Sequence, residues 1–201
     1  MTAAHLNQDA EGSRLGMWLF LFSELMLFGG LFIVYAVYLA RYPADFAAAG
    51  HELNSWLGAT NTVVLLTSSL LAAMAVSAVQ MDKRRLAVAL ISGTLLCAAV
   101  FLCIKYVEWG AKFAHGLYPN ASELSERPHG QILFFGLYFM ITGLHAVHVL
   151  AGATLLAISL GLIGRGKITC HRYVFLENSA LYWHLVDLIW IFIFPLFYLI
   201  V

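Results

Sequence analysis

This chain of 201 residues is short of charge: Asp, Glu, Lys and Arg make up 11% of it, against roughly 25% in ordinary globular domains. A water-exposed surface cannot be built from so few charges. The charges that exist show no excess of either sign, with 11 basic and 11 acidic residues, so no basic face points to nucleic acid. Cysteine is equally sparse. Cys97 and Cys103 lie in an apolar stretch and Cys170 in a polar connection, without the paired spacing of a disulfide framework or a zinc site. They are expected to be small core residues. Internal repeats, low-complexity tracts and the alternating pattern of barrel strands are all missing.

What is there in quantity is apolar sequence, 62% of the chain. A bilayer core of about 30 Å needs roughly 20 apolar residues as helix. Five stretches meet that length, about 15–40, 56–81, 86–111, 131–163 and 178–201. In lipid a run this long must satisfy its own backbone hydrogen bonds, so helix is the expected form. The fold class is therefore an all-α integral membrane bundle of about five transmembrane helices. Residues 1–14 form a polar amino-terminal segment and 15–201 the membrane domain. The first apolar run is too long for the core of a cleavable signal peptide, which spans roughly 7–15 residues. The fourth run exceeds a perpendicular span, so tilt or extension past the interface is expected.

Lys and Arg counts orient the bundle. With the amino terminus in the cytoplasm, the inner connections hold Arg14, Lys83, Arg84, Arg85, Arg165, Lys167 and Arg172, and the outer ones only Arg41, Lys112 and Arg127. Seven against three places the carboxyl terminus on the periplasmic side.

Seven ionisable groups interrupt the apolar runs: Glu24, Lys105, Glu108, His145, His148, His184 and Asp187. Each carries a cost of about 2.5–3.5 kcal/mol at a helix centre on insertion scales if charged, so each needs a reason. Residues three apart share a helix face. Lys105 and Glu108 read as a self-neutralising ion pair, with a proton- or substrate-related role as the alternative. His184 and Asp187 read as a structural hydrogen-bonded pair, with proton handling as the alternative. His145 and His148 are expected to point the same way. They cannot be opposite axial ligands of one haem, which would need one of them with His184, and helix–helix hydrogen bonding is the favoured use. Glu24 has no opposite charge within one turn. Desolvation disfavours its charged form, leaving either a neutral donor to a neighbouring helix or a proton-exchanging site. Gly29, Gly30, Gly143 and Gly152 are expected to let helices approach closely, and Trp18, Trp56, Trp109, Tyr42, Tyr106 and Tyr118 to sit in interfacial belts.

The same residues carry a resemblance. Gly16-Met17-Trp18-Leu19-Phe20-Leu21-Phe22-Ser23-Glu24, Asn61-Thr62 with Leu66-Thr67-Ser68-Ser69, Glu108 after Lys105-Tyr106, Thr142-Gly143-Leu144-His145-Ala146-Val147-His148-Val149, and Tyr182-Trp183-His184-Leu185-Val186-Asp187-Leu188-Ile189-Trp190 follow in order along nearly the whole chain. Together they resemble subunit III of the haem–copper respiratory oxidases, in the five-helix bacterial form. The resemblance implies a non-catalytic subunit of an aerobic terminal oxidase in the bacterial inner membrane, with cytochrome c as the electron donor. That subunit packs on subunit I within a complex that includes subunit II, retains phospholipid, and supports proton uptake. It implies no cofactor on this chain, with haem and copper held by partner subunits. Glu24 takes the position of the family's carbodiimide-reactive carboxyl, and His145, His148, His184 and Asp187 that of its buried polar network. Ile104-Lys105-Tyr106-Val107-Glu108-Trp109 and Phe194-Pro195-Leu196-Phe197-Tyr198 also resemble the five-helix protein associated with nitric oxide reductase, and the quinol oxidase subunit is a third relative. Rival classes are a b-type membrane cytochrome and a proton-coupled transporter, the latter disfavoured by the missing repeats.

Overall fold

The computed structural model describes the backbone of residues 3–119 and 121–200, and side chains from Glu11 onward. Its helices are α1 (Ala3–Arg41), α2 (Pro43–Gly50), α3 (Ser55–Gln80), α4 (Arg84–Ala114), α5 (Ser122–Ser125), α6 (His129–Gly164) and α7 (Val174–Tyr198). Five of them are long and apolar enough to cross a membrane. No strand occurs among the described residues. The first helix starts earlier than its apolar run, because the polar residues from Ala3 continue the same helix. Two short helices, α2 and α5, fold inside connections where no long apolar run announces them. Pro43 opens α2 at a position where its missing N–H costs nothing. At 36 residues, α6 is about 54 Å long at 1.5 Å per residue, so it extends past a 30 Å core.

Helix ends are set by local chemistry. Asn54 caps α3, its side-chain oxygen accepting from the N–H groups of Trp56 at 3.0 Å and Leu57 at 3.3 Å. The carboxyl ends of α4 and α6 close with Gly116 (φ 64) and Gly166 (φ 69) in the left-handed region. In each case the next residue donates back across the turn, Leu117 to Lys112 at 3.0 Å and Lys167 to Leu162 at 2.9 Å.

The bundle has a centre and a flank. Helices α3, α4, α6 and α7 pack around one another, while α1 lies against α6 and α7. Half of the most apolar stretch of α7 is buried (50%), against 11% for α1. One long row of α1 side chains, including Leu15, Trp18, Leu19, Phe22, Met26, Ile33 and Val37, is therefore bare within this chain. At the amino end of the bundle Arg14 pairs with Glu177 at 2.8 Å, and Asn178 Nδ2 donates to Ser13 Oγ at 3.0 Å, clasping α1 to α7. At the carboxyl end the Tyr35 hydroxyl donates to the Leu196 carbonyl at 2.6 Å.

Glycine use departs from expectation. A side chain at Gly29 or Gly30 would meet open space within this chain, so these two do not bring helices of this chain together. Gly152 does. A Cβ there would lie 2.8 Å from the ring of Trp183 and 3.3 Å from that of Tyr182. Gly143 makes ordinary contact with Trp109 at 3.6 Å. The cysteines also differ from expectation. Cys103 is exposed, and Cys97 and Cys170 are only partly covered. None of the three is a core residue.

Candidate functional site

The ionisable groups expected from sequence fall into separate sites rather than one network. A 60° offset between residues three apart on a helix is enough to send them to different neighbours. His145 and His148 show this directly. His145 is fully buried, boxed by Phe101 and Trp190 with ring centroids 5.6 and 5.3 Å away. Neither of its nitrogens has a hydrogen-bond partner among the described residues. His148 turns to α1 instead. Its Nε2 lies 2.8 Å from a carboxylate oxygen of Glu24, and its Nδ1 lies 2.8 Å from the Leu144 carbonyl. Both members of that pair are largely covered, at 12% and 14% side-chain exposure, with Phe28 edge-on and Tyr182 stacked against the imidazole. Glu24 thus has a partner that sequence distance concealed, 124 residues away.

A second group joins α4, α6 and α7. Lys105 Nζ donates to Glu108 Oε2 at 2.9 Å, to the Tyr198 hydroxyl at 3.0 Å and to the Tyr138 hydroxyl at 3.3 Å. The two phenols in turn donate to Glu108 Oε1, Tyr138 at 3.0 Å and Tyr198 at 2.5 Å. Every N–H of the ammonium is used, and both carboxylate oxygens accept. The rings of Trp190, Tyr138 and Tyr198 surround the ammonium at 5.1, 5.2 and 5.6 Å. Charge neutrality and complete hydrogen bonding let the pair stay buried, at 4% and 3% side-chain exposure.

Tyr138 does not stand out in the sequence. It lies seven residues before His145 on the buried stripe of α6 that continues through Val149, Gly152 and Leu156. That seven-residue spacing is the signal that could have found it.

The third group is a ladder between α3 and α7. Trp190 Nε1 donates to Thr62 Oγ1 at 3.1 Å, Trp183 Nε1 donates to Ser68 Oγ at 3.0 Å, and Ser69 Oγ lies 2.6 Å from His184 Nδ1. The hydroxyls of Thr62, Ser68 and Ser69 therefore serve the last helix, while that of Thr67 donates back to the Val63 carbonyl within α3. Asn61 and Asp187 are buried beside this ladder without a partner among the described residues.

No set of three His, Cys, Asp or Glu side chains converges as a metal site among the described residues. The geometry instead shows polar groups used to join helices, with a carboxyl–imidazole contact, Glu24 to His148, at the seam of the peripheral helix.

Comparison with known proteins gives this arrangement its context. The sequence profile described as "Cytochrome c oxidase subunit III" matches residues 1–200. The chain belongs to the cytochrome c oxidase subunit III family. A cytochrome c oxidase subunit 3 from Thermostichus vulcanus is 28% identical over 200 residues, covering 98% of this chain and 91% of the relative. One from Corynebacterium diphtheriae is 30% identical over 187 residues, with 92% and 86% covered. A "Heme-copper oxidase subunit I+III" from Aeropyrum pernix is 29% identical over 196 residues. These cover 93% of this chain but 22% of that much longer relative. Within this subunit III family chain, the Glu24–His148 pair and the Lys105–Glu108 pair are the most elaborate polar sites.

Proposed function

We propose that this chain is the non-catalytic third subunit of a haem–copper terminal oxidase in a bacterial inner membrane. In this reading it packs directly on subunit I, with subunit II in the same complex, and the amino terminus is cytoplasmic. Haem and copper belong to its partners, and cytochrome c is the electron donor. The observation that carries the reading is the peripheral helix α1. It is apolar, largely uncovered within the chain, and fastened to α6 by the contact of Glu24 with His148 Nε2 at 2.8 Å. A bare apolar face this long needs a membrane-embedded neighbour or lipid. The Aeropyrum relative, whose name joins subunits I and III, supports subunit I as that neighbour. Phospholipid fits the seam beside it. A groove of about 330 Å³ runs between α1 and α7, lined by Trp18, Leu21, Phe22, Leu25, Leu185 and Leu188. Its polar atoms are few, which suits an acyl chain.

Glu24 and His148 form a carboxylate–imidazole couple at the edge of the bundle, the chemistry of a group that takes up and passes on protons. Glu24→Ala is expected to leave insertion and assembly intact while fewer turnovers precede inactivation of the oxidase. His148→Ala is expected to do the same, and the double variant to add nothing further, since the two residues act as one unit. Oxygen consumption followed to inactivation in the purified complex measures this. Unchanged inactivation kinetics in both single variants would remove the proton role.

A quinol donor is the second reading. A cytochrome bo(3) ubiquinol oxidase subunit 3 from Pseudomonas putida is 27% identical over 195 residues, with 96% of this chain and 88% of the relative covered.

A further inference from the structure

A cavity with several charged residues in its lining lies at the carboxyl end of the bundle, apart from the groups described above, and only Glu108 is shared with them. It measures about 550 Å³ and is lined by Glu52, Asn54, Lys112, His115, Arg127 and Glu108, with Leu57, Val107, Ala111 and Leu117 between them. Its charges are unevenly satisfied. The Glu52 carboxylate is paired with Arg127. Glu108 is held by Lys105 and two phenols. Asn54 is occupied with the α3 amino terminus. Glu123 lies against Gly116 and is not part of the lining.

Lys112 is what remains. It is 8% exposed, its Nζ donates to the Glu52 carbonyl, and the Glu52 and Glu108 carboxylates of the same lining act on it only from beyond ion-pair distance. An ammonium has three N–H donors, and a buried charge is costly unless it is paired. Arg127, which keeps guanidinium N–H groups beyond the one given to Glu52, and the His115 imidazole offer further N–H donors beside it.

We propose that this cavity is a binding site for a phosphate-type oxyanion, with Lys112 as its charge partner and Arg127 and His115 as supporting donors. Its size admits such an ion with water, each water taking roughly 30 Å³. Charge-assisted hydrogen bonds to an oxyanion are the strong ones, and they would complete the pairing that the chain leaves open at Lys112. Two sources offer this chemistry, free phosphate from the aqueous phase and the phosphate of an anionic lipid headgroup.

The test uses the intact oxidase complex, stripped of phospholipid in alkyl maltoside micelles. Lys112 is labelled with a water-soluble amine-reactive reagent and read by peptide mass spectrometry, with Lys83 at the opposite end as the reference. Inorganic phosphate at ten times its dissociation constant is expected to slow Lys112 labelling about tenfold and to leave Lys83 unchanged. Protection by phosphatidylglycerol but not by phosphate would support the site with a lipid source. His115→Gln is expected to weaken protection by either ligand. Labelling of Lys112 that neither ligand slows in the native complex would overturn the proposal, and that result needs no variant to fold. Loss of the oxidase reading would show separately, as a failure of the chain to purify with partners.

Discussion

Glu108→Ala is expected to cost about 3–5 kcal/mol of stability, the range for removing one partner of a buried ion pair, and to be the most damaging single substitution among the polar groups. Lys105 would keep its ammonium 3% exposed with no carboxylate, and two phenols that donate to Glu108 would lose their acceptor. The loss falls on three helices at once, because Lys105 and Glu108 stand on α4, Tyr138 on α6 and Tyr198 on α7. Replacing both charges, as Lys105→Met with Glu108→Leu, is expected to recover the part of the loss that comes from the unpaired ammonium, while the two phenols still lack their carboxylate acceptor. Well-packed apolar residues often do as well as a buried ion pair. The double-mutant cycle, read as resistance to unfolding in mixed detergent micelles and as abundance in the membrane, measures the coupling. Additive effects of the two single substitutions would mean that the pair does not act as a unit.

Gly152→Leu is expected to prevent native packing of α6 on α7, and Gly152→Ala to cost about 1–3 kcal/mol through overpacking. The first added carbon would stand 2.8 Å from the Trp183 ring. That ring has little room to yield, being fully buried and held by its bond to Ser68. Gly29→Ala supplies the contrast. It points into open space and is expected to be neutral or slightly stabilising, because alanine favours helix by about 1 kcal/mol over glycine. Thermal inactivation of the complex carrying each variant distinguishes the two sites. Equal tolerance at Gly152 and Gly29 would show that the α6–α7 contact is looser than the structure has it.

The contrast between those glycines marks how far sequence could reach. The five spans were legible because bilayer thickness imposes a length on any apolar helix, and no alternative backbone satisfies itself in lipid. The Lys105–Glu108 contact was legible because both partners lie on one helix, three residues apart. Gly29 and Gly30 read like Gly143 and Gly152 as packing positions, yet small residues help only where another helix arrives, and α1 meets little of the chain. The short helices α2 and α5 carry no long apolar run to announce them.

The partner of Glu24 was hidden for a different reason. Spacing along α6 made His145 and His148 look equivalent, but the bundle separates them, sending one into an aromatic box and the other to α1. The cavity around Lys112 depends on several helix ends meeting. A pattern read along one helix at a time cannot supply that. The hydroxyls of Thr62, Ser68 and Ser69 could be quoted as a motif without a role, and only the indoles and imidazole of α7 give them one.

The most direct test of the subunit reading is to tag this chain in its native membrane, purify it gently, and record its partners, visible spectrum and oxygen consumption. A large haem–copper subunit, its haem absorbance and oxygen reduction driven by reduced cytochrome c are the predicted result. Turnover with quinol in place of cytochrome c would change the donor and keep the subunit assignment. A chain that purified alone, without haem absorbance or oxygen reduction, would contradict the account.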